Sequence, residues 1–518
     1  MGFRGGLRPL VTLVLVCLCA SCLCSLSDAK RTPRPTSPTA KKPPPPASSQ
    51  QSPAAAAAAA AASYPALPVR AVCLGGWLVT EGWILPSLFD GIPNKDLLDG
   101  TQVQFKSALR KTYLTADQGG GGAVVANRTQ ASDWETFKLW RMNETTFNFR
   151  TSGNQFVGIG ASDGIIVATA TTPTLPETFQ IVRCPFDKNR VRIKAANGYF
   201  VQAIATGEVI ADYGEPTRWS DFDASVFLMT KVGEQLQGEY QLCNGYGTAK
   251  ATPVLRDHWS TYIVEDDFKF FASSGLTAVR IPVGWWIASD PNPPAPYVGA
   301  PGSQNPWEHS SSRDGTQEWG TTDANIAQTV QVIDFLASRY ATSPSLFAVE
   351  LMNEPLAPRA TLDSLTKYYR DGYDAVRKHS PTAYVVMSNR LSSGKSTELL
   401  QFASGFQGAV IDVHYYTVFN RMFNNFTVQQ NIDFIRTNFS GELTTVTTPN
   451  GPLTFVGEWV AEWKVPNATK EEYQKYATAQ MNVYGQATFG WSYWTAKNAN
   501  NHWDLEWMIK NGYISLKG

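Results

Sequence analysis

The chain has 518 residues, with 44 basic and 44 acidic side chains and no formal net charge. That balance gives no electrostatic basis for a nucleic-acid partner or an anionic membrane surface. Aromatic residues are plentiful, at 16 Trp, 20 Tyr and 26 Phe; most must be core, but an excess of Trp also suits stacking on the apolar faces of pyranose rings.

Arg4 and Arg8 precede an apolar run from Leu10 to Leu26. This is the layout of a secretory signal peptide over residues 1–28, with a retained signal-anchor as the alternative. Residues 29–68 are mostly Pro, Ser, Thr and Ala, including an unbroken run from Ala54 to Ala62. They hold too few large apolar side chains to build a core and read as a disordered linker. Four cysteines, Cys17, Cys19, Cys22 and Cys24, lie within the signal. Cys73, Cys184 and Cys243 remain, either as one disulfide with a free thiol or as three buried thiols. Asn127, Asn143, Asn425, Asn438 and Asn467 each begin an Asn-x-Ser/Thr triplet, which agrees with an extracellular destination.

Residues 69–102 open the globular sequence, and an internal repeat follows over 103–232. Tyr113-Leu-Thr-Ala, Phe156-Val-Gly-Ile and Phe200-Val-Gln-Ala form one set of echoes. Trp134-Glu-Thr-Phe-Lys-Leu and Pro176-Glu-Thr-Phe-Gln-Ile form another, with Ser225-Val-Phe-Leu-Met as a looser third copy. Each copy is a set of short strands punctuated by Gly, Asn and Asp. One copy cannot bury its own apolar face, so three copies predict a threefold all-β unit. It resembles a β-trefoil of the fascin-like kind.

Residues 233–518 alternate strand-like and helical runs. Helices are expected over 262–274, 325–340, 362–379, 428–439 and 470–486. Strands are expected over 277–283, 347–352, 383–387, 409–415, 453–457 and 489–494, with a first strand at 71–78 ahead of the repeat. The alternation predicts an α/β fold, a (β/α)8 TIM barrel interrupted by the all-β insertion.

Two expected strands end in a carboxylate. Leu351-Met-Asn-Glu-Pro355 closes one and Phe455-Val-Gly-Glu-Trp459 another. Barrel active sites lie at the C-terminal ends of the strands, so Glu354 and Glu458 would share one. Two carboxyl groups across one glycosidic bond are what glycoside hydrolysis needs. Further runs are Leu74-Gly-Gly-Trp-Leu-Val-Thr-Glu81, Val279-Arg-Ile-Pro-Val-Gly-Trp-Trp286, Ala300-Pro-Gly-Ser-Gln-Asn305, Asp412-Val-His-Tyr-Tyr416 and Trp491-Ser-Tyr-Trp494. In that order they resemble glycoside hydrolase family 5, in its exo-β-1,3-glucanase-like and β-glucosidase branch.

The resemblance implies that Glu354 is the acid/base and Glu458 the nucleophile of a retaining enzyme. It implies that Arg280 holds the nucleophile ionised and that Asn353 meets the sugar 2-hydroxyl. His414 and Tyr416 would bond the carboxylates or the sugar, and Trp494 would floor the terminal glucose. Glu81 would bind that glucose and close the pocket, Phe419 would stack on the next sugar, and Glu308 and His309 would add polar contacts. The substrate would be a β-glucoside or β-glucan oligosaccharide, with transglucosylation as a further outcome, in the cell wall. No cofactor and no metal are expected, nor a nucleic-acid or, after signal removal, membrane partner, and the protein would be a monomer.

One departure stands out. From Trp286 to Asp323 there is no strand or helix signal, whereas the resemblance implies a helix and the third barrel strand there, ending in an active-site His. The expectation is a barrel with one unit missing and two unpaired edges, which would fold poorly or hydrolyse weakly. A carbohydrate-binding protein with a damaged barrel is the alternative function. A third reading, actin bundling by the fascin-like unit, conflicts with the signal.

Overall fold

The computed structural model describes residues 65–161, 163–216, 218–288 and 302–517, together with the backbone of Val14–Cys19. Two β-structures account for it, one nested in the sequence of the other.

The larger is a closed eight-stranded parallel barrel. Its strands are β1 (Val14–Cys19), β2 (Val69–Cys73), β15 (Ala278–Gly284), β16 (Leu346–Glu350), β17 (Tyr384–Ser388), β18 (Ala409–Tyr415), β19 (Leu453–Trp459) and β20 (Gly490–Tyr493). They close in the order β1-β15-β2-β20-β19-β18-β17-β16. These strands read as apolar runs because the barrel buries both faces. Val69, Ala71, Ala278, Phe347, Ala348, Val386, Val410, Phe455 and Phe489 form a small core of their own, and a larger core lies between sheet and helices. Gly490 is required where β20 meets β2: a Cβ there would stand 2.1 Å from the Val69 carbonyl oxygen. The outer helices start where the sequence caps them. Thr361 accepts a hydrogen bond from the Ser364 N–H to open Leu362–His379, and Arg377, Lys378 and His379 close it, so both ends oppose the macrodipole.

The expected gap in the barrel is filled. β1 pairs in parallel with β15 through Val14↔Val279 to Cys19↔Gly284 and with β16 on its other edge. It takes the place between them that the sequence left without a strand. The two exposed edges expected there do not exist, because the apolar run read as a leader supplies their partner. The rest of the presumed signal and most of the linker lie outside the described residues.

The nested unit runs between β2 and the helix Glu239–Tyr246. It has twelve strands: β3 (Gln102–Ser107), β4 (Tyr113–Ala116), β5 (Val124–Arg128), β6 (Phe137–Arg141), β7 (Thr146–Arg150), β8 (Phe156–Ile159), β9 (Ile166–Ala170), β10 (Phe179–Cys184), β11 (Asp187–Ala195), β12 (Phe200–Ala203), β13 (Val209–Tyr213) and β14 (Phe227–Val232). β3, β6, β7, β10, β11 and β14 close a six-stranded antiparallel barrel. β4–β5, β8–β9 and β12–β13 are hairpins across its end, joined to one another by bridges such as Val125↔Glu208 and Ile165↔Ile210. Three four-strand copies around one core, with Phe105, Phe149, Phe179 and Phe227 inside, make a β-trefoil.

Helices Glu239–Tyr246 and Thr248–Thr261 were not legible in the sequence; Gly245, Gly247 and Pro253 mask their period. Cys73, Cys184 and Cys243 are three buried free thiols. Among the described residues no helix is long and apolar enough to cross a membrane.

Candidate active site

Strands from around the barrel deliver their charged residues to one end. Arg280 stands on β15, Glu350 on β16, Asp412 and His414 on β18, and Glu458 on β19. Asn353 and Glu354 follow β16, and Trp494 follows β20. This is the C-terminal end, where barrels place their chemistry.

Arg280 is fully buried and organises the floor. Its Nε and one terminal nitrogen donate to Glu350 at 2.8 and 2.9 Å, and that same terminal nitrogen donates to Asn353 Oδ1 at 2.6 Å. Its other terminal nitrogen donates to Glu458 Oε1 at 2.8 Å. Tyr416 O–H donates to Glu458 Oε2 at 2.8 Å. Both oxygens of Glu458 thus accept hydrogen bonds, which fix the orientation of its carboxylate. Burial and the Glu458 charge hold the Tyr416 phenol well above its ordinary pKa, so it stays a donor.

Glu354 lies between two imidazoles. His414 Nδ1 is 2.7 Å from its Oε1 and His309 Nε2 is 3.1 Å from its Oε2. Burial pushes the Glu354 carboxyl up, but the hydrogen bonds from His309 and His414 outweigh it and hold it below the usual carboxylate range. Burial also opposes charge on His414, yet Glu458, Asp412 and Glu354 around it raise it well above an ordinary histidine. Both directions favour a carboxylate on Glu354 beside a protonated His414. Glu354 has φ +49°, a left-handed backbone uncommon for a non-glycine residue.

The two carboxylates face each other: donor atoms of Glu354, His414 and Glu458 lie within 4.8 Å of one another. Such a trio could also surround a cation. Here each carboxylate oxygen already faces a nitrogen or hydroxyl donor, so an entering ion would have to displace Tyr416, Arg280 or the imidazoles.

The remaining expected residues gather around this pair. Trp494 is buried in one cluster with Trp83, Tyr416 and Trp503. Burial pushes the Glu81 carboxyl up to about 8, against the pull of His309, with the Glu308 and Glu458 charges adding to it. Trp83 Nε1 donates to Glu81 at 2.9 Å. Phe419 is 72% exposed, with its ring 5.1 Å from Tyr416 and 6.0 Å from Trp503. Glu308 and His309 share one helical turn, Glu308–Ser310.

Sequence reasoning missed Glu350, Asp412, Asn305, Trp83 and Trp503. A charge inside the apolar run Leu346–Met352 was the available signal for Glu350, because a buried carboxylate must be paired. Asp412 takes the Gly457 N–H at 2.7 Å on one oxygen and faces His414 Nε2 at 3.0 Å on the other.

Residues 303–500 match the cellulase family, glycosyl hydrolase family 5. The chain carries a family 5 glycoside hydrolase domain. Residues 94–232 match a domain family of unknown function (DUF7910), which covers the trefoil. The hydrolase is 27% identical over 398 residues to a glucan 1,3-beta-glucosidase of Blumeria graminis, covering 64% of this chain and 88% of that one. It is 27% identical to a glucan 1,3-beta-glucosidase of Lachancea kluyveri, over 53% of this chain and 77% of the other. A crystal structure of rutinosidase from Aspergillus niger aligns with 53% of this chain and 88% of its own at 22% identity, with a TM-score of 0.45. The chain is thus an O-glycosyl hydrolase.

Proposed function

We propose that this hydrolase removes terminal β-linked glucose from β-glucosides and β-1,3- or β-1,4-gluco-oligosaccharides with retention of configuration. The observation that carries this reading is the close approach of the two carboxylates, an oxygen of Glu354 lying within 4.8 Å of one of Glu458. Double displacement requires about 5 Å, whereas inversion needs about 6.5–9.5 Å to admit a water. The glucan 1,3-beta-glucosidase relatives support the choice of sugar.

In the first step Glu458 attacks the anomeric carbon as the bond to the leaving oxygen breaks, and Glu354 gives that oxygen its proton. His414 supplies this proton to Glu354 across their 2.7 Å contact as the substrate enters. In the second step water attacks the anomeric carbon, Glu354 takes its proton, and Glu458 leaves as carboxylate. A sugar hydroxyl in place of water gives transglucosylation. Arg280 orients Glu458 through its 2.8 Å hydrogen bond. Asn353, whose Oδ1 faces Arg280, has its amide N–H2 available for the 2-hydroxyl. Trp494 floors the glucose, Glu81, Glu308 and His309 meet its hydroxyls, and Phe419 with Trp503 carries the next ring.

An extracellular site of action fits this reading, and Asn127, Asn143, Asn425, Asn438 and Asn467 are all exposed. Three measurements test the chemistry. Proton NMR of the first product should show β-glucose; α-glucose appearing first would refute retention. Rapid-quench mass spectrometry with an activated aryl β-glucoside should find one hexosyl group on the peptide containing Glu458. Glu458→Ala should lower turnover by at least about 10⁴-fold with the fold intact.

A further inference from the structure

The segment after residue 301 reaches the active site without regular structure of its own beyond the single turn Glu308–Ser310. A long loop of this kind takes its shape from what it touches. Its first half touches the acid/base. Gln304 donates to the Asn353 carbonyl and Asn305 to the Glu354 carbonyl, each at 3.0 Å. Asn305 Nδ2 also lies 2.9 Å from His309 Nε2, the nitrogen that faces Glu354.

Its second half touches the trefoil. Asp314 is 3% exposed, and its Oδ2 accepts Trp140 Nε1 at 2.7 Å from β6 and an Arg150 guanidinium nitrogen at 2.6 Å from β7. The same Arg150 nitrogen donates to Thr316 Oγ1 at 3.0 Å. The Arg313 guanidinium lies 3.8 Å over the Trp140 ring, and its Nε donates to Asp99 at 2.8 Å. A buried ion pair costs desolvation and persists only with good geometry and full hydrogen bonding. Here the pair is close, at 2.6 Å, and Asp314 Oδ2 takes two donors, although Arg150 Nε is left without a partner; the pair joins two domains through the loop that carries His309.

We propose that Trp140 and Arg150 of the inserted trefoil are positioning residues for the acid/base Glu354, acting through Asp314 and the loop that seats Asn305 and His309. The inference rests on Glu354 being the acid/base. The trefoil thereby forms part of the catalytic scaffold, whatever else it binds.

The test uses the full chain as Trp140→Phe and Arg150→Met variants, with kcat/KM measured on an alkyl β-glucoside and on a dinitrophenyl β-glucoside. An alkoxide must be protonated as it leaves, whereas dinitrophenolate needs no proton, so a misplaced acid harms only the first. The expected result is a loss on the order of 10-fold on the alkyl glucoside with less than about 2-fold on the activated one, and an altered pH profile. Equal losses on both substrates, or no loss on either, would overturn the proposal. Trp140→Phe keeps an aromatic face at this position while removing the pyrrole ring with its Nε1 donor, so it decides the matter if Arg150→Met fails to fold. Glu354→Ala run alongside separates the two claims. If it lacks this leaving-group dependence, the acid/base assignment falls; if it shows it and the trefoil variants do not, only the positioning role falls.

Discussion

Arg280 carries Glu350 on one edge of its guanidinium and Glu458 on the other, and no part of it reaches solvent. Removing it leaves two carboxylates buried without their cation. Arg280→Met is expected to cost about 3–5 kcal/mol of stability, read as a lower midpoint in urea, and to lower turnover. Glu239 behaves differently. It is buried beneath Thr80, whose N–H and hydroxyl both donate to Oε2, and burial pushes its pKa up to about 7 against those bonds. Its folded pKa lies above the unfolded value of about 4.3, so the folded state keeps a proton that the unfolded state loses. Stability from this group therefore falls as pH rises from about 4.3 to about 7. Gln can accept the same two bonds without titrating, so Glu239→Gln should flatten the decline of Tm over that range, and an unchanged slope would refute the assignment. That Glu354 and Glu458 stand at strand ends and meet at one end of the barrel was legible in the sequence, because each lies in a recognisable run. Glu350 and Trp503 were not, because their significance comes from neighbours 70 or more positions away, as with Arg280 and Tyr416.

β19 shows how a strand aims a side chain. Its register with β18 slips between Val413 and His414: Val413 faces Val456, yet His414 faces Glu458. Gly457 is the extra residue of this bulge, and such insertions re-aim the side chains beyond them. Asp412 fills the space beside it, and a Cβ on Gly457 would stand 2.2 Å from Asp412 Oδ1. Gly457→Ala should displace Asp412, release His414 and lower kcat by on the order of 10²-fold, while KM changes less; a variant with normal kcat would show that the bulge tolerates the methyl. The sequence located β19 from its apolar run and gave no sign of the bulge, since a register shift depends on the partner strand. Leu362–His379 was legible to the residue because Thr361 and the basic last turn mark both ends. The expected helix over 428–439 instead passes through a π-turn at Ile435–Phe439 and continues to Val446, and no local residue signals that continuation.

At the scale of the molecule the trefoil was legible from its repeats, and seven barrel strands from their apolar runs. The eighth was not, because a stretch with basic residues before an apolar core reads as a leader, and nothing local distinguishes it from a buried parallel strand of six residues. The pairing of β1 with both β15 and β16 makes barrel closure depend on residues far from the rest of the domain. A chain beginning at Ala29 should lose that closure and melt at least about 5 °C below the full chain in calorimetry, with turnover reduced. Equal melting temperatures and equal rates would mean that the barrel does not need β1.

Synthesis runs from the N-terminus, so β1 leaves the ribosome long before its partners at 278–284 and 346–350 exist. At about 5–20 residues per second that interval is tens of seconds. Through that interval the segment has neither of its barrel partners to pair with. Closure of the barrel is therefore a late event in folding, timed by the appearance of Leu346–Glu350 rather than by β1 itself.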